Sequence, residues 1–322
     1  MSFQVEGTRW SADVQPVWSV TTSIAKLVAQ LELVEPALLP DLHIGDTLLL
    51  ACDYGGQHRS AAYETFSFLL TDLAFCWLWD ENGRVIRNTI LKDKRRMSCK
   101  GLNDSRKRSA LLPFLRVADS LPGVLVTVLV EKKYSATMAI EEADHDQLPL
   151  AVQSWPASTI RKFVWAMHLG ALFVAGLSRP FQNLWWITDQ DAIAANDGRL
   201  IGATPIVAGI LTQYCSRDMG HLRFGTTACD NGDLFLEDIA AITDFAAGAL
   251  SEIPVLATTK QISSIAVPLG GHVPSKALQI LNWIGTPKPQ PLRRLVFVVD
   301  QGDTKNKVRV RGLVPQVRPS AG

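Results

Sequence analysis

Apolar residues along this chain recur with two periods, and the alternation between those periods sketches the fold. Ile24, Leu27, Val28, Leu31, Leu33 and Val34 recur at near-helical spacing, and Pro36 and Pro40 end that run. From Thr47 the pattern turns strand-like, with Leu48, Leu49, Leu50, Ala51 and Cys52 leading into Asp53 and a turn at Tyr54-Gly55-Gly56. Residues 63–71 and 75–79 predict a second and a third strand, and Asp80-Glu81-Asn82-Gly83 predicts a tight turn into Arg84-Val85-Ile86, giving an antiparallel meander. Residues 105–120 predict a helix capped by Asn103 or Asp104 and stopped by Pro122-Gly123. Val124 to Val130 is the clearest strand, a continuous run suited to burial on both faces. Then follow a long helix from Pro156 to Leu177, a strand over 184–188, a helix over 203–215, a strand over 221–227 and a helix over 235–251. Strands and helices in this order suit an α/β layer fold with a mixed sheet flanked by helices.

Beyond about residue 260 the texture changes, with Pro268, Pro287, Pro289, Pro291 and Pro315 punctuating it and a short hairpin at Leu295–Val299 and Val308–Val310. The expected organisation is therefore a helical segment over 1–45, a main domain over 46–261 and a small C-terminal appendage over 262–322. A hydrophobic content of 47% with 20% charge marks a folded protein and excludes a disordered one. Net charge is only +1, so any polyanionic partner must be held by local patches. Five scattered cysteines without a CxxC pair exclude a zinc knuckle and favour reduced thiols. The N-terminus lacks the basic start and apolar core of a signal peptide, and the apolar stretch 163–177 is shorter than a membrane span and holds His168. A cytoplasmic protein with no membrane association is expected.

Candidate chemistry lies in carboxylates placed at strand ends and on a late helix. Asp53 ends the first strand, Asp189 and Asp191 follow Leu184-Trp185-Trp186-Ile187, and Asp238 and Asp244 lie in the last long helix. A carboxylate at the rim of a buried strand is costly to desolvate unless paired. Several that converge repel one another, and a divalent cation relieves that repulsion. Each acid also has a bland reading. Asp53 can cap its turn, Asp189 or Asp191 can cap a loop or helix, and Asp238 can answer the helix dipole in the first turn. Asp244 stands apart, because it lies among alanines and phenylalanine where a poor helix former calls for a reason. Asp238 and Asp244 do not share a helix face cleanly, so at most one of them belongs in a metal shell.

Within 92–108 basic residues dominate, and Lys94, Arg95, Arg96, Lys100 and Arg106 are candidate contacts for nucleic-acid phosphates, against the plainer reading of a solvated loop and helix face. Trp77, Trp79, Trp185 and Trp186 sit in strand-like runs and are better explained by core packing than by base stacking. His58, near Asp53, is a loop histidine that could shuttle protons.

Three antiparallel strands, then helix, strand, helix and strand, with acids on the first strand, a later strand and a final helix, resemble the ribonuclease H-like fold, and more closely its bacterial DUF3800 branch. The likeness covers roughly 45–255 and rests on Asp53-Tyr54-Gly55-Gly56, on Lys100 to Asp104 with Arg106 to Arg108, and on Ile242 to Ala249. Departing from the family, this chain lacks the serine of the first motif. The resemblance implies a Mg²⁺- or Mn²⁺-dependent nuclease that hydrolyses phosphodiester bonds of DNA or RNA. Asp53, Asp189 and Asp244 would be the catalytic carboxylates, with Asp191 and Asp238 as further metal-ligand candidates. It equally admits an inactive copy serving as a binding or assembly module, with a protein partner or a second copy, in a bacterial defence or mobile-element system.

Overall fold

In the computed structural model of the chain, the described residues are 8–11, 13–137, 149–190, 193–230, 232–253, 274–286, 291–302 and 308–313. Side-chain alternation explains the sheet. β1 (Thr47–Gly55) sends Leu48, Leu50 and Cys52 into one hydrophobic core and Leu49 and Ala51 into another. β2 (Tyr63–Asp72) and β3 (Gly123–Glu131) divide their side chains in the same way, as strands covered on both faces must. β1 pairs antiparallel with β2, and β2 antiparallel with β3. β4 (Asn183–Thr188) runs parallel to β1, and β5 (Leu222–Thr226) parallel to β4. β6 (Leu292–Gln301) lies parallel to β3, with β7 (Val308–Leu313) antiparallel to β6 at the edge. The mixed seven-stranded order is β5-β4-β1-β2-β3-β6-β7.

Helices cover both faces. One core takes α1 (Ser19–Val34), α6 (Ala157–Leu177) and α7 (Asp197–Tyr214). The other takes α2 (Trp77–Thr89), α3 (Ser105–Ala118), α8 (Phe235–Ser251) and α9 (Ser275–Gly285). Two short helices, α4 (Lys132–Thr137) and α5 (Leu150–Gln153), lie between β3 and α6. By length and composition α6 could cross a membrane, but 83% of its apolar window is buried in this protein. It touches the sheet closely: a Cβ on Gly170 would sit 2.4 Å from the Trp186 ring.

The structure departs from the sequence-based expectation in three places. Residues 77–89 form α2 and not two strands, so the third strand of the meander is β3. The Asn82-Gly83 turn signal is outweighed by Trp79, Gly83 and Ile86, which fall at helical spacing and are buried. Trp79 stacks edge-on against Phe114 of α3 with centroids 5.3 Å apart. Second, the hairpin β6–β7 is present but is no appendage, because β6 pairs with β3 and buries Val296 and Val298 in the core beside α8 and α9. The Pro-rich stretches that suggested a boundary fall largely outside the described residues. Third, α1 belongs to the same body, with Leu27 and Leu31 against Gly312 of β7. The helix before β5 begins at Asp197, earlier than its apolar pattern suggests, with Asn196 as its cap accepting from Arg199 N–H at 2.9 Å.

Candidate active site

Parallel pairing of β1 and β4 aligns Cys52 with Thr188, so Asp53 and Asp189 leave the sheet at the same edge. That edge holds the carboxyl ends of the parallel strands, where open α/β sheets form their crevices. α8 is pulled close to it. Thr65 Oγ1 donates to Ala247 O at 2.9 Å, and a Cβ on Gly55 would come within 2.6 Å of that same carbonyl oxygen. Gly55 therefore lets strand and helix approach, and the approach brings Asp53 against Asp244.

Asp53 and Asp244 line the same cleft, and their carboxyl groups lie near enough to act on each other. Two bare carboxylates so placed repel each other, which favours a proton on one of them. Both keep a partial opening to the cleft and are otherwise enclosed by protein. Burial, reinforced by the Asp244 charge and then by Asp189, pushes the Asp53 carboxyl well above the ordinary range. Burial also raises Asp244, offset in part by the Cys99 N–H that donates to it. Asp53 Oδ1 accepts from Tyr54 N–H at 2.7 Å. The acid in the middle of an apolar helix thus has its reason: it faces another acid across the end of the sheet.

Asp189 lies close enough to act electrostatically on both, but its Oδ1 accepts from Arg96 Nη1 at 3.1 Å. Arg96 also reaches Glu237 at 3.7 Å. The guanidinium draws its raised pKa first from Asp189. Asp191 lies outside the described residues, and β4 ends at Thr188, so the strand that would have put Asp189 and Asp191 on one face does not continue. Asp238 is corrected outright as a metal-ligand candidate. It is buried in a bidentate pair with Arg87, whose Nε donates to Oδ2 at 2.9 Å, and it is absent from the lining of the cleft that Asp53 and Asp244 share.

A cleft of about 610 Å³ opens over the pair. Five carboxylates line it, Asp53, Asp189, Glu237, Asp244 and Glu252, against the cations Arg96, Lys100, Lys162 and Lys276. Of the basic residues singled out in the sequence, Arg96 and Lys100 reach this cleft. Arg95 instead pairs with Asp93 and Asp104, and Arg106 with Asp93. Lys94 adopts a left-handed φ of 56° in the same loop and is absent from the lining. Lys162 and Lys276, on helices distant in sequence, escaped the reading because no local basic run marks them. His58 lines the cleft, with Nε2 3.8 Å from Glu252 and Nδ1 3.0 Å from Ser60 Oγ. Trp79 and Trp186 are fully buried, Trp185 carries Arg223 over its ring at 4.8 Å, and only Trp77 is exposed, on α2.

Hard carboxylate oxygens suit Mg²⁺ or Mn²⁺, and Asp53 and Asp244 bring two carboxyls to one cleft with no ion pair to either among the described residues. Among the described residues no group of three or more His, Cys, Asp or Glu is arranged to hold a metal ion. The fit is thus a two-carboxylate seat, with Asp189 available as a third oxygen donor once Arg96 releases it. Comparison with protein-family models, curated proteins and solved structures finds no match to this chain.

Proposed function

We propose that this protein is a divalent-metal-dependent nuclease of ribonuclease H-like fold, acting on phosphodiester bonds of DNA or RNA. The observation that carries the reading is the meeting of Asp53 and Asp244, separated by most of the sheet in sequence, as mutually repelling carboxyls in one cleft at the end of β1. Strand order supports it as well. Three antiparallel strands are followed by α6, β4, α7, β5 and α8, with acids at the end of β1, just after β4 and on α8.

A carboxyl pair that favours a proton when alone is poised to exchange it for a cation. Asp53 and Asp244 would hold Mg²⁺ or Mn²⁺, joined by Asp189. When bound there, such an ion supplies charge neutralisation at the phosphate and an activated water. The chain's own residues do the rest. Gly55 and the Cys99 N–H fix the carboxyls, Lys100 and Lys276 face the cleft where an anionic substrate must approach, and Arg96 is placed to turn from Asp189 to a phosphate oxygen.

The Arg96–Asp189 ion pair favours a second reading, a binding module in which arginine has taken the place of the cation. Cleavage of labelled single- and double-stranded DNA and RNA separates the two. The nuclease reading expects cleavage with Mg²⁺ or Mn²⁺, none in EDTA, and a loss of at least about a hundredfold in Asp53→Asn and Asp244→Asn. Binding without cleavage under every metal condition would leave the module reading standing.

A further inference from the structure

On the opposite face of the sheet end, behind Tyr54, lies a second cleft of about 460 Å³. The pleat of β1 explains the division: Asp53 points toward α8, whereas Tyr54 points toward α6 and packs against Phe66 with centroids 6.0 Å apart. Both clefts share Tyr54, Gly55, Gln57 and Lys162 in their walls, so they meet over the end of β1. Lys162 marks the crossing, with its ammonium 5.8 Å from the Tyr54 ring centroid.

The two clefts differ in charge. The first sets five carboxylates against four cations, so a phosphate seated beside Asp53 and Asp244 needs a cation between it and those acids. The second is lined by Lys132, Arg161 and Lys162 with one acid, Glu64. That acid is already engaged, accepting from Ser135 Oγ at 2.6 Å and from Arg161 Nη2 at 3.3 Å. Lys132 is tethered to His58 O at 2.6 Å, which holds its ammonium at the cleft wall. Arg161 Nε is buried behind this wall with no hydrogen-bond partner among the described residues. The hydroxyls of Ser158 and Thr159 complete the wall.

Resting on the nuclease reading, we infer that this second cleft seats a phosphate flanking the one to be cut. The substrate is therefore a polynucleotide strand laid across the end of β1, from the α6 side to the α8 side, and not a mononucleotide. Binding at the second cleft needs no metal, whereas seating a phosphate over Asp53 and Asp244 does.

Fluorescence anisotropy in EDTA, with labelled oligothymidylates of increasing length and unlabelled thymidine mononucleotide as competitor, tests this apart from cleavage. The full chain is expected to bind oligomers and to be displaced weakly by the mononucleotide. Lys132→Ala with Lys162→Ala should weaken oligomer binding roughly tenfold and lower the salt slope by about 0.7 per lysine removed. Lys132→Arg with Lys162→Arg should restore most of the binding, which a merely structural role would not predict. Equal affinity for mononucleotide and oligomer, or unchanged binding in the double alanine variant at unchanged melting temperature, would overturn the inference. Loss of cleavage activity alone would not, because the nuclease reading and the flanking seat are read by separate assays.

Discussion

At the scale of single residues, Asp53 and Asp244 decide the account. Their pKa values are raised in the folded chain, so the proton-bound form is favoured by folding. The sign follows from linkage. The metal-free fold is helped by the pair below the unfolded carboxylate pKa near 4, and loses that help as pH rises through the raised values. Asp53→Asn removes the repulsion, so in EDTA at pH above 7 it should raise the melting temperature by a few degrees. The gain should shrink toward pH 4, as differential scanning fluorimetry would show. Asp238 differs in its partner: burial raises its pKa as well, and the Arg87 guanidinium works against that rise. Its partner Arg87 is largely covered beside it, and Arg87→Ala leaves a buried carboxylate without compensation. Denaturant unfolding should record a loss of about 3–5 kcal/mol, while any Mn²⁺-induced stabilisation persists. The sequence marked Asp244 as the acid in need of a reason and gave Asp238 a plainer one in the helix dipole, and the helix-face argument allowed only one of them a functional place. What it could not supply was Arg87, whose pairing depends on α2, a helix that the Asn-Gly signal concealed.

At the scale of elements, the site depends on how near α8 comes to β1. Gly55 and Gly248 permit it: a Cβ at Gly55 meets the Ala247 carbonyl, and one at Gly248 would lie 2.6 Å from Cys99 Sγ. Backbone cannot yield as a flexible side chain can, so Gly55→Ala should cost about 1–3 kcal/mol and push the two carboxyls apart. The measurable results are a lower melting temperature and weaker metal binding together, whereas Gly83→Ala, where open space surrounds the added methyl, should leave metal binding intact. The long periodic elements, α6 and α8 above all, were legible because burial follows their apolar pattern directly. α8 matches its expected bounds, Phe235–Ser251. The approach of β1 to α8 was not legible, because a glycine after an aspartate reads as a turn wherever it stands.

At the scale of the whole molecule, the sheet unites what the composition divides. β6 inserts beside β3, and its Val296 and Val298 share a core with Phe245 and Ile242 of α8, the helix that carries Asp244. Removing residues 262–322 would expose the β3 edge and strip one side of that core. The truncated chain should aggregate or lose its cooperative melt, and a soluble, cooperatively folded 1–261 fragment would contradict this view. Proline-rich punctuation misled here, because a boundary in composition says nothing of which edge the next strand joins. The same sheet delivers the C-terminal ends of β1 and β4 to one rim with α8 beside them, and the proposed site exists only through that convergence.

A crystal soaked in Mn²⁺ and measured at the manganese absorption edge tests that convergence most directly. The account predicts an anomalous peak bonded to carboxylate oxygens of both Asp53 and Asp244, and its disappearance in Asp53→Asn crystals. A wild-type soak with no peak there, although the two carboxyl groups stand side by side in the cleft, would contradict it.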